Sequence, residues 1–274
     1  MLLQNRTIIV TGAARGLGEG IARVCHREGA AVVLADILAG PVQQVAASLG
    51  DRALAIHCDL TDDAQLANLI AASLAAFGRI DGLVNNAGIN FSKPFLEITP
   101  EDWQHVIAID LRAAYFLTQM VCRQMLRQSP AGGSIVNISS VHSTAAHPCC
   151  SLYDNAKWGM VGFSKSAAVE LASSGIRVNI VSPGLVNTQL WRDVLDSSSD
   201  PDRCWNHWKG NIPIQRTIEP AEIGELTAFL LSDRASCITG SNIIADGGMT
   251  SLLVNQPDYE IKPPAPSQSR RSQP

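Results

Sequence analysis

Short apolar runs rich in Val, Ile and Ala alternate with helical patterns along most of this chain. RTIIVTG (6–12), AAVVLAD (30–36), ALAIHCDL (53–60), IDGLVNNAG (80–88), GSIVNISS (133–140), IRVNIVSPG (176–184) and SNIIADGG (241–248) read as strands. Apolar and β-branched residues are dense in them, and most end at Gly, Asp or Ser. Between them, 17–29, 41–50, 62–78, 103–128, 151–174 and 222–233 read as helices, the first three ending at Gly29, Gly50 and Gly78. Strand–helix–strand units make parallel pairs, because a parallel connection needs a crossover of a dozen or more residues. A parallel sheet is covered by helices on both faces. The expected fold is therefore α/β, a doubly wound parallel sheet in a single domain over residues 1–254. Ligands of such sheets sit beyond the carboxyl ends of the strands.

Two segments stand outside this rhythm. Residues 185–219 are long and polar, carry Trp191, Trp205 and Trp208, and show no regular pattern. They follow a Pro-Gly turn and are expected to form the substrate loop. Residues 255–274, which read PDYEIKPPAPSQSRRSQP from 257 onward, are rich in Pro, Ser and Gln. They read as a tail, either disordered or packed as an arm on a neighbouring subunit.

Composition excludes several function classes. Hydrophobic residues at 46% and charged residues at 17% supply a large core and argue against disorder. The net charge is −4 and no Lys/Arg cluster appears, so nucleic acid is not an expected partner. No run of about 18 apolar residues exists, which argues against a membrane span, and residues 1–10 lack a secretory pattern. The seven cysteines show no CxxC spacing. They read as reduced thiols of a cytoplasmic protein, with no metal site.

TGAARGLG (11–18) joins the first strand to the first helix, with Gly12, Gly16 and Gly18 in a G-x-x-x-G-x-G spacing. Glycine allows a ligand to approach the backbone, and the N–H groups of a helix N-terminus favour a pyrophosphate. Arg15 and Leu17 lie in the same turn. Asp36 closes the second strand, where an acid accepts the hydroxyls of an adenosine ribose and repels a 2′-phosphate. Arg15 points the other way, towards a 2′-phosphate, but it can swing to solvent while Asp36 cannot. NAD is therefore expected over NADP. Asp59 and Leu60 end the third strand, in reach of an adenine, and Asn86, Ala87 and Gly88 end the fourth.

Tyr153 and Lys157 are spaced i, i+4 and share one helical face. A neutral phenol is a poor base, with a reference pKa of about 10, and a neighbouring ammonium favours the phenolate. Ser140, thirteen residues before Tyr153, ends the fifth strand and can hold a substrate oxygen. TGAARGLG, NNAG, Ser140, YDNAK (153–157) and SPGLVNT (182–188) follow one another in the order found in the short-chain dehydrogenase/reductase family, which the chain resembles over roughly residues 5–250. The resemblance implies a Rossmann-type domain with about seven strands, in a homotetramer or homodimer. It implies that Ser140 orients the substrate, Tyr153 is the acid/base, and Lys157 binds the nicotinamide ribose. It also implies Pro183 and Gly184 beside the nicotinamide, Val186 on the carboxamide through its backbone, and Thr188 on the pyrophosphate.

One departure stands out. Where the family commonly has Asn in the helix after NNAG, this chain has Asp110. An ionised carboxylate has no N–H to donate. It either pairs with Lys157 or adds negative charge near Tyr153, and it is kept as a fourth catalytic residue. His142, His147 and Trp191 are the further substrate-binding candidates, with Ser140 and Tyr153. The expected activity is NAD-dependent interconversion of a secondary alcohol (a sugar, polyol, hydroxy acid or sterol) and a ketone. Two alternatives remain, a non-catalytic dinucleotide sensor and an NADPH-dependent ketoacyl reductase.

Overall fold

A computed structural model describes residues 1–255; the tail expected over 255–274 lies, but for its first residue, outside the described residues. In chain order the elements are β1 (Thr7–Thr11), α1 (Gly16–Arg27), β2 (Ala31–Asp36), α2 (Ala39–Leu49), β3 (Ala53–His57), α3 (Asp63–Phe77) and β4 (Gly82–Asn85). There follow α4 (Pro100–Ile107), α5 (Ala113–Arg127), β5 (Gly133–Ile138), α6 (Ser151–Leu171), β6 (Ile176–Pro183), α7 (Gln189–Ser197), α8 (Pro201–Gly210), α9 (Pro220–Leu231) and β7 (Asn242–Ala245). The seven strands form one sheet in the order β3-β2-β1-β4-β5-β6-β7, and every neighbouring pair is parallel. This is the doubly wound Rossmann-type α/β domain expected.

The period-two alternation of each strand sorts its side chains between two cores. Ile8 and Val10 of β1 pack with Val32 and Leu34 of β2 beneath α1, α2 and α9, where Ile21, Val42 and Ile223 meet them. Ile9 of β1 and Val33 of β2 face the other way, onto Leu66 and Leu69 of α3 and Leu117 and Val121 of α5. Each fully buried Val, Leu or Ile contributes about 1.5–3 kcal/mol relative to exposure. The chain leaves β1 to one side for β2 and β3, then returns to the other side for β4. That reversal opens a crevice at the carboxyl ends of β1 and β4.

Two expectations differ from the structure. The helix expected over 103–128 starts earlier and is broken by a π-helical turn at Ala108–Arg112. Thr99 caps the start, its hydroxyl accepting the Asp102 N–H while the Asp102 carboxylate accepts the Thr99 N–H, with Pro100 in the first turn. The extra residue of the π turn rotates Asp110 to full burial. The segment 185–219, expected to lack a regular pattern, contains α7 and α8. The Asp200 carboxylate accepts the Arg203 N–H and Pro201 opens α8, a start signal legible in Asp-Pro. No helix among the described residues is long and apolar enough to cross a membrane.

Candidate active site

The glycine turn is built by backbone proximity. At Gly12, where φ is +65°, a Cβ would stand 2.9 Å from the Ala87 Cα, and at Gly18 a Cβ would stand 2.0 Å from the Gly12 carbonyl oxygen. Only glycine permits both approaches. Arg15 occupies the N-cap of α1 and no side chain caps the helix. The first-turn N–H groups of Gly16, Leu17 and Gly18 therefore remain available to an anion. The Arg15 side chain is exposed.

Asp36 is tied into this turn. One carboxylate oxygen accepts the Ala14 N–H at 2.9 Å and the other accepts the Leu38 N–H at 2.9 Å. Each oxygen keeps lone-pair capacity for a ribose hydroxyl. Thr188, after β6, packs its methyl against Gly16, where a Cβ would meet it at 3.5 Å. The Thr11 hydroxyl accepts the N–H groups of Asn86 and Ala87 at 3.0 and 3.1 Å. The Asn86 amide in turn donates to the carbonyls of Thr11 and Gly12. Asn86 is thus a clamp on the glycine turn, and Thr11, unmarked by sequence reasoning, is its anchor. Asp59 accepts the N–H and hydroxyl of Thr61 beyond β3, and neighbouring Leu60 is half-buried. Gly184 follows Pro183 at the end of β6, packed so closely on Asp246 that a Cβ would lie 2.8 Å from its Cα. Val186 bridges to Ile218.

The structure brings Ser140, Tyr153, Lys157 and Asp110 together beside the same strand ends. The Ser139 hydroxyl donates to the Lys157 carbonyl at 3.1 Å, pinning α6 to the end of β5. Ser143 donates to the Ser140 carbonyl and meets Ser182 of β6 at 3.0 Å, which fixes the Ser140 backbone. The Ser140 Oγ accepts the His142 N–H at 3.3 Å, leaving its own proton to donate elsewhere. One helical turn separates Tyr153 from Lys157, whose Nζ lies 5.2 Å from the Tyr153 ring centroid. The Tyr153 hydroxyl makes no hydrogen bond among the described residues.

Lys157 is 3% exposed. Its Nζ reaches the Ile138 carbonyl at 3.5 Å and Asp110 Oδ2 at 3.8 Å. Asp110 is fully buried. Its Oδ1 accepts the Ile89 N–H at 2.8 Å, while Oδ2 has no hydrogen-bond partner among the described residues. Burial pushes the Asp110 carboxyl above its ordinary range, against the pull of Lys157, the Ile89 N–H and His105. Burial wins because the Lys157 contact is longer than a hydrogen bond.

A wall of aromatic rings continues from Tyr153. His142 stands edge-to-face on it with centroids 5.1 Å apart. His147 follows at 6.1 Å, and Trp208 of α8 stacks on His147 at 5.9 Å. Trp191 meets Trp208 at 5.8 Å and Trp205 at 6.4 Å. Of the sequence candidates, His142 lies against Tyr153 and His147 against His142, whereas Trp191 is buried against Trp205 and Trp208 of α8. Sequence reasoning missed Asp154, whose Oδ1 lies 2.5 Å from His142 Nδ1. No spacing rule marks it, since the turn before α6 alone brings the two together. Among the described residues no cluster of three or more His, Cys, Asp or Glu side chains could hold a metal ion.

A family model described as enoyl-(acyl carrier protein) reductase matches residues 12–250. The oxidoreductase UcpA of Salmonella typhimurium is 39% identical, over 90% of this chain and 95% of its own. The meso-2,3-butanediol dehydrogenase of Serratia marcescens is 34% identical, over 92% of this chain and 97% of its own. The crystal structure of a 3-ketoacyl-(acyl-carrier-protein) reductase from Brucella melitensis complexed with NADH superposes with a TM-score of 0.83 at 30% identity, covering 90% of this chain and 99% of that one.

Proposed function

This chain belongs to the short-chain dehydrogenase/reductase family, and from that premise we propose that it is an NAD-dependent oxidoreductase interconverting a secondary alcohol and a ketone. One juxtaposition carries the reading: the Lys157 ammonium 5.2 Å from the centre of the Tyr153 ring, with the Ser140 hydroxyl, its proton to spare, on the turn that also carries His142 against that ring. A nicotinamide dinucleotide is the group such a family binds, and when bound it supplies the hydride acceptor or donor.

The residues present fit that group. The uncapped first turn of α1, with Gly12, Arg15, Gly16, Leu17 and Gly18, suits the pyrophosphate, together with Thr188. Asp36 suits the adenosine ribose and Asp59 with Leu60 the adenine. Asn86, Ala87, Gly88, Pro183, Gly184 and Val186 line the path to the nicotinamide, whose ribose falls to Lys157 and Tyr153. The Asp36 carboxylate, already held by two N–H groups, accepts ribose hydroxyls and repels a 2′-phosphate, which favours NAD over NADP.

In the oxidation direction, Ser140 donates to the substrate oxygen and holds the carbinol against Tyr153. The Tyr153 phenolate takes the carbinol O–H proton as the C–H bond gives up its electron pair, and in reduction the phenol returns it. Lys157 stabilises the phenolate by its charge. Asp110 balances that buried charge from 3.8 Å. His142, His147 and Trp191 belong to the wall against which the rest of the substrate lies. The same reading makes the protein a cytoplasmic homodimer or homotetramer, supported by the exposed Tyr115, Phe116 and Trp158 of α5 and α6.

The test is NADH fluorescence on incubating the protein with NAD or NADP and a panel of secondary alcohols, sugars and sterols. Turnover with NAD is expected. Tight NAD binding without turnover of any substrate would favour a dinucleotide sensor, and a strong NADP preference would overturn the role of Asp36.

A further inference from the structure

His142 is held more firmly than a pocket-lining histidine requires. Its Nδ1 lies 2.5 Å from the Asp154 carboxylate, and both side chains are largely withdrawn from solvent. A carboxylate only accepts, so Nδ1 carries the hydrogen and the ring orientation is set. Nε2, at the opposite edge of the ring, makes no hydrogen bond among the described residues. The backbone N–H of the same residue supports Ser140 Oγ, and its ring stands edge-to-face on Tyr153. A substrate oxygen held by Ser140 and Tyr153 therefore has His142 as its neighbour. Beyond His142 the wall changes character, since His147 and Trp208 stack ring on ring.

From this arrangement we infer that His142, positioned by Asp154, hydrogen-bonds a second oxygen of the substrate close to the reacting carbon, so that the enzyme selects vicinal diols and α-hydroxy ketones over simple secondary alcohols. The inference rests on the dehydrogenase reading of this site. With Nδ1–H held by Asp154, Nε2 is the ring atom left to hydrogen-bond a substrate hydroxyl, while the hydrocarbon face of the substrate lies on His147 and Trp208. Asp154 acts through His142 and is a positioning residue. A site built to hydrogen-bond a substrate hydroxyl rejects the analogue lacking it far more strongly than an apolar pocket rejects a missing methylene.

The experiment compares kcat/KM of the full chain with NAD for matched pairs: 2,3-butanediol against 2-butanol, and 1,2-cyclohexanediol against cyclohexanol. The wild type is expected to favour the diols by at least ~10-fold, below the limit for a fully buried site because His142 is partly exposed. His142→Phe keeps a ring and removes the nitrogen, and should abolish the preference by lowering kcat/KM for the diol about 10-fold more than for its mono-alcohol partner. Asp154→Ala should shift selectivity the same way, mainly through KM, and Asp154→Glu should restore part of it. Equal wild-type rates on both members of a pair would overturn the inference. So would a parallel loss on diol and mono-alcohol in His142→Phe, which marks a purely structural role. Should that variant not fold, the wild-type ratio and Asp154→Ala decide alone. No oxidation of any member of either pair, with dinucleotide binding intact, would sink the dehydrogenase reading itself and this inference with it.

Discussion

The glycine turn at 11–18 and the segment from Ser139 to Lys157 both lie at the carboxyl ends of strands, β1 and β5, on either side of β4, yet they are made in opposite ways. The first is a backbone object. Gly12 and Gly18 are there because other main-chain atoms occupy the space a side chain would take, and Asn86 and Thr11 spend their polar groups on main-chain partners. The second is a side-chain object. Its backbone runs from a strand end through an irregular turn into a helix, and the groups that could do chemistry are side-chain atoms without a partner among the described residues: the Tyr153 hydroxyl, the Ser140 proton and His142 Nε2. A backbone-built site should fail together with the fold when altered. A side-chain-built site should lose rate or selectivity while the fold persists.

The sharpest way to break that contrast is Tyr153→Phe. The hydroxyl has no partner among the described residues, so its removal should lower kcat by about 10²–10⁴-fold while the thermal midpoint stays where it was. A drop in midpoint of the size seen for core variants would show that the catalytic side is structural after all. Gly18→Ala is the counterpart. Its Cβ would meet the Gly12 carbonyl at 2.0 Å, so the variant should lose about 3 kcal/mol in urea unfolding, and dinucleotide binding with it. Full stability with normal NADH binding would show that the turn can shift to make room.

The smallest effect should come from Asp110→Asn, which lies where the two regions meet. Activity is expected to be kept or raised, and a complete loss would show a role for the carboxylate itself. Its pH dependence has a definite sign. Burial raises the Asp110 carboxyl in the folded state, so the folded protein holds that proton to higher pH than the unfolded chain does. Wild-type stability relative to the Asn variant is therefore greatest in acid and falls as pH rises above the ordinary carboxylate range. Thermal midpoints of the two proteins across that range should diverge in favour of Asn, and a constant difference would mean that Asp110 does not titrate there.

The same contrast explains what was legible in the sequence. Strands and the glycine turn could be read because apolar periodicity and glycine spacing are local signals that the tertiary structure enforces. Tyr153, Lys157 and Ser140 could be read because one helical turn and one strand end fix them. The break at Ala108–Arg112 was not legible, since no Pro or Gly marks a π turn and only the buried carboxylate of Asp110 shows its purpose. Asp154 was invisible for a different reason. Its partner His142 lies twelve residues away, across an irregular turn whose path no periodicity encodes. In 185–219 the lack of a regular apolar pattern suggested a loop, whereas Trp191 is the one buried side chain of a short helix there.

The ring-to-ring file from Tyr153 to Trp205 has an optical consequence. Three of the five tryptophans of this chain stand in α7 and α8 within 6.4 Å of a ring neighbour. Indoles this close share their excited states, so the near-ultraviolet dichroism of the protein is weighted towards this one segment. The emission of those indoles overlaps the absorption of a reduced nicotinamide. The protein therefore carries its own reporter at the wall of its candidate active site, with no label to add.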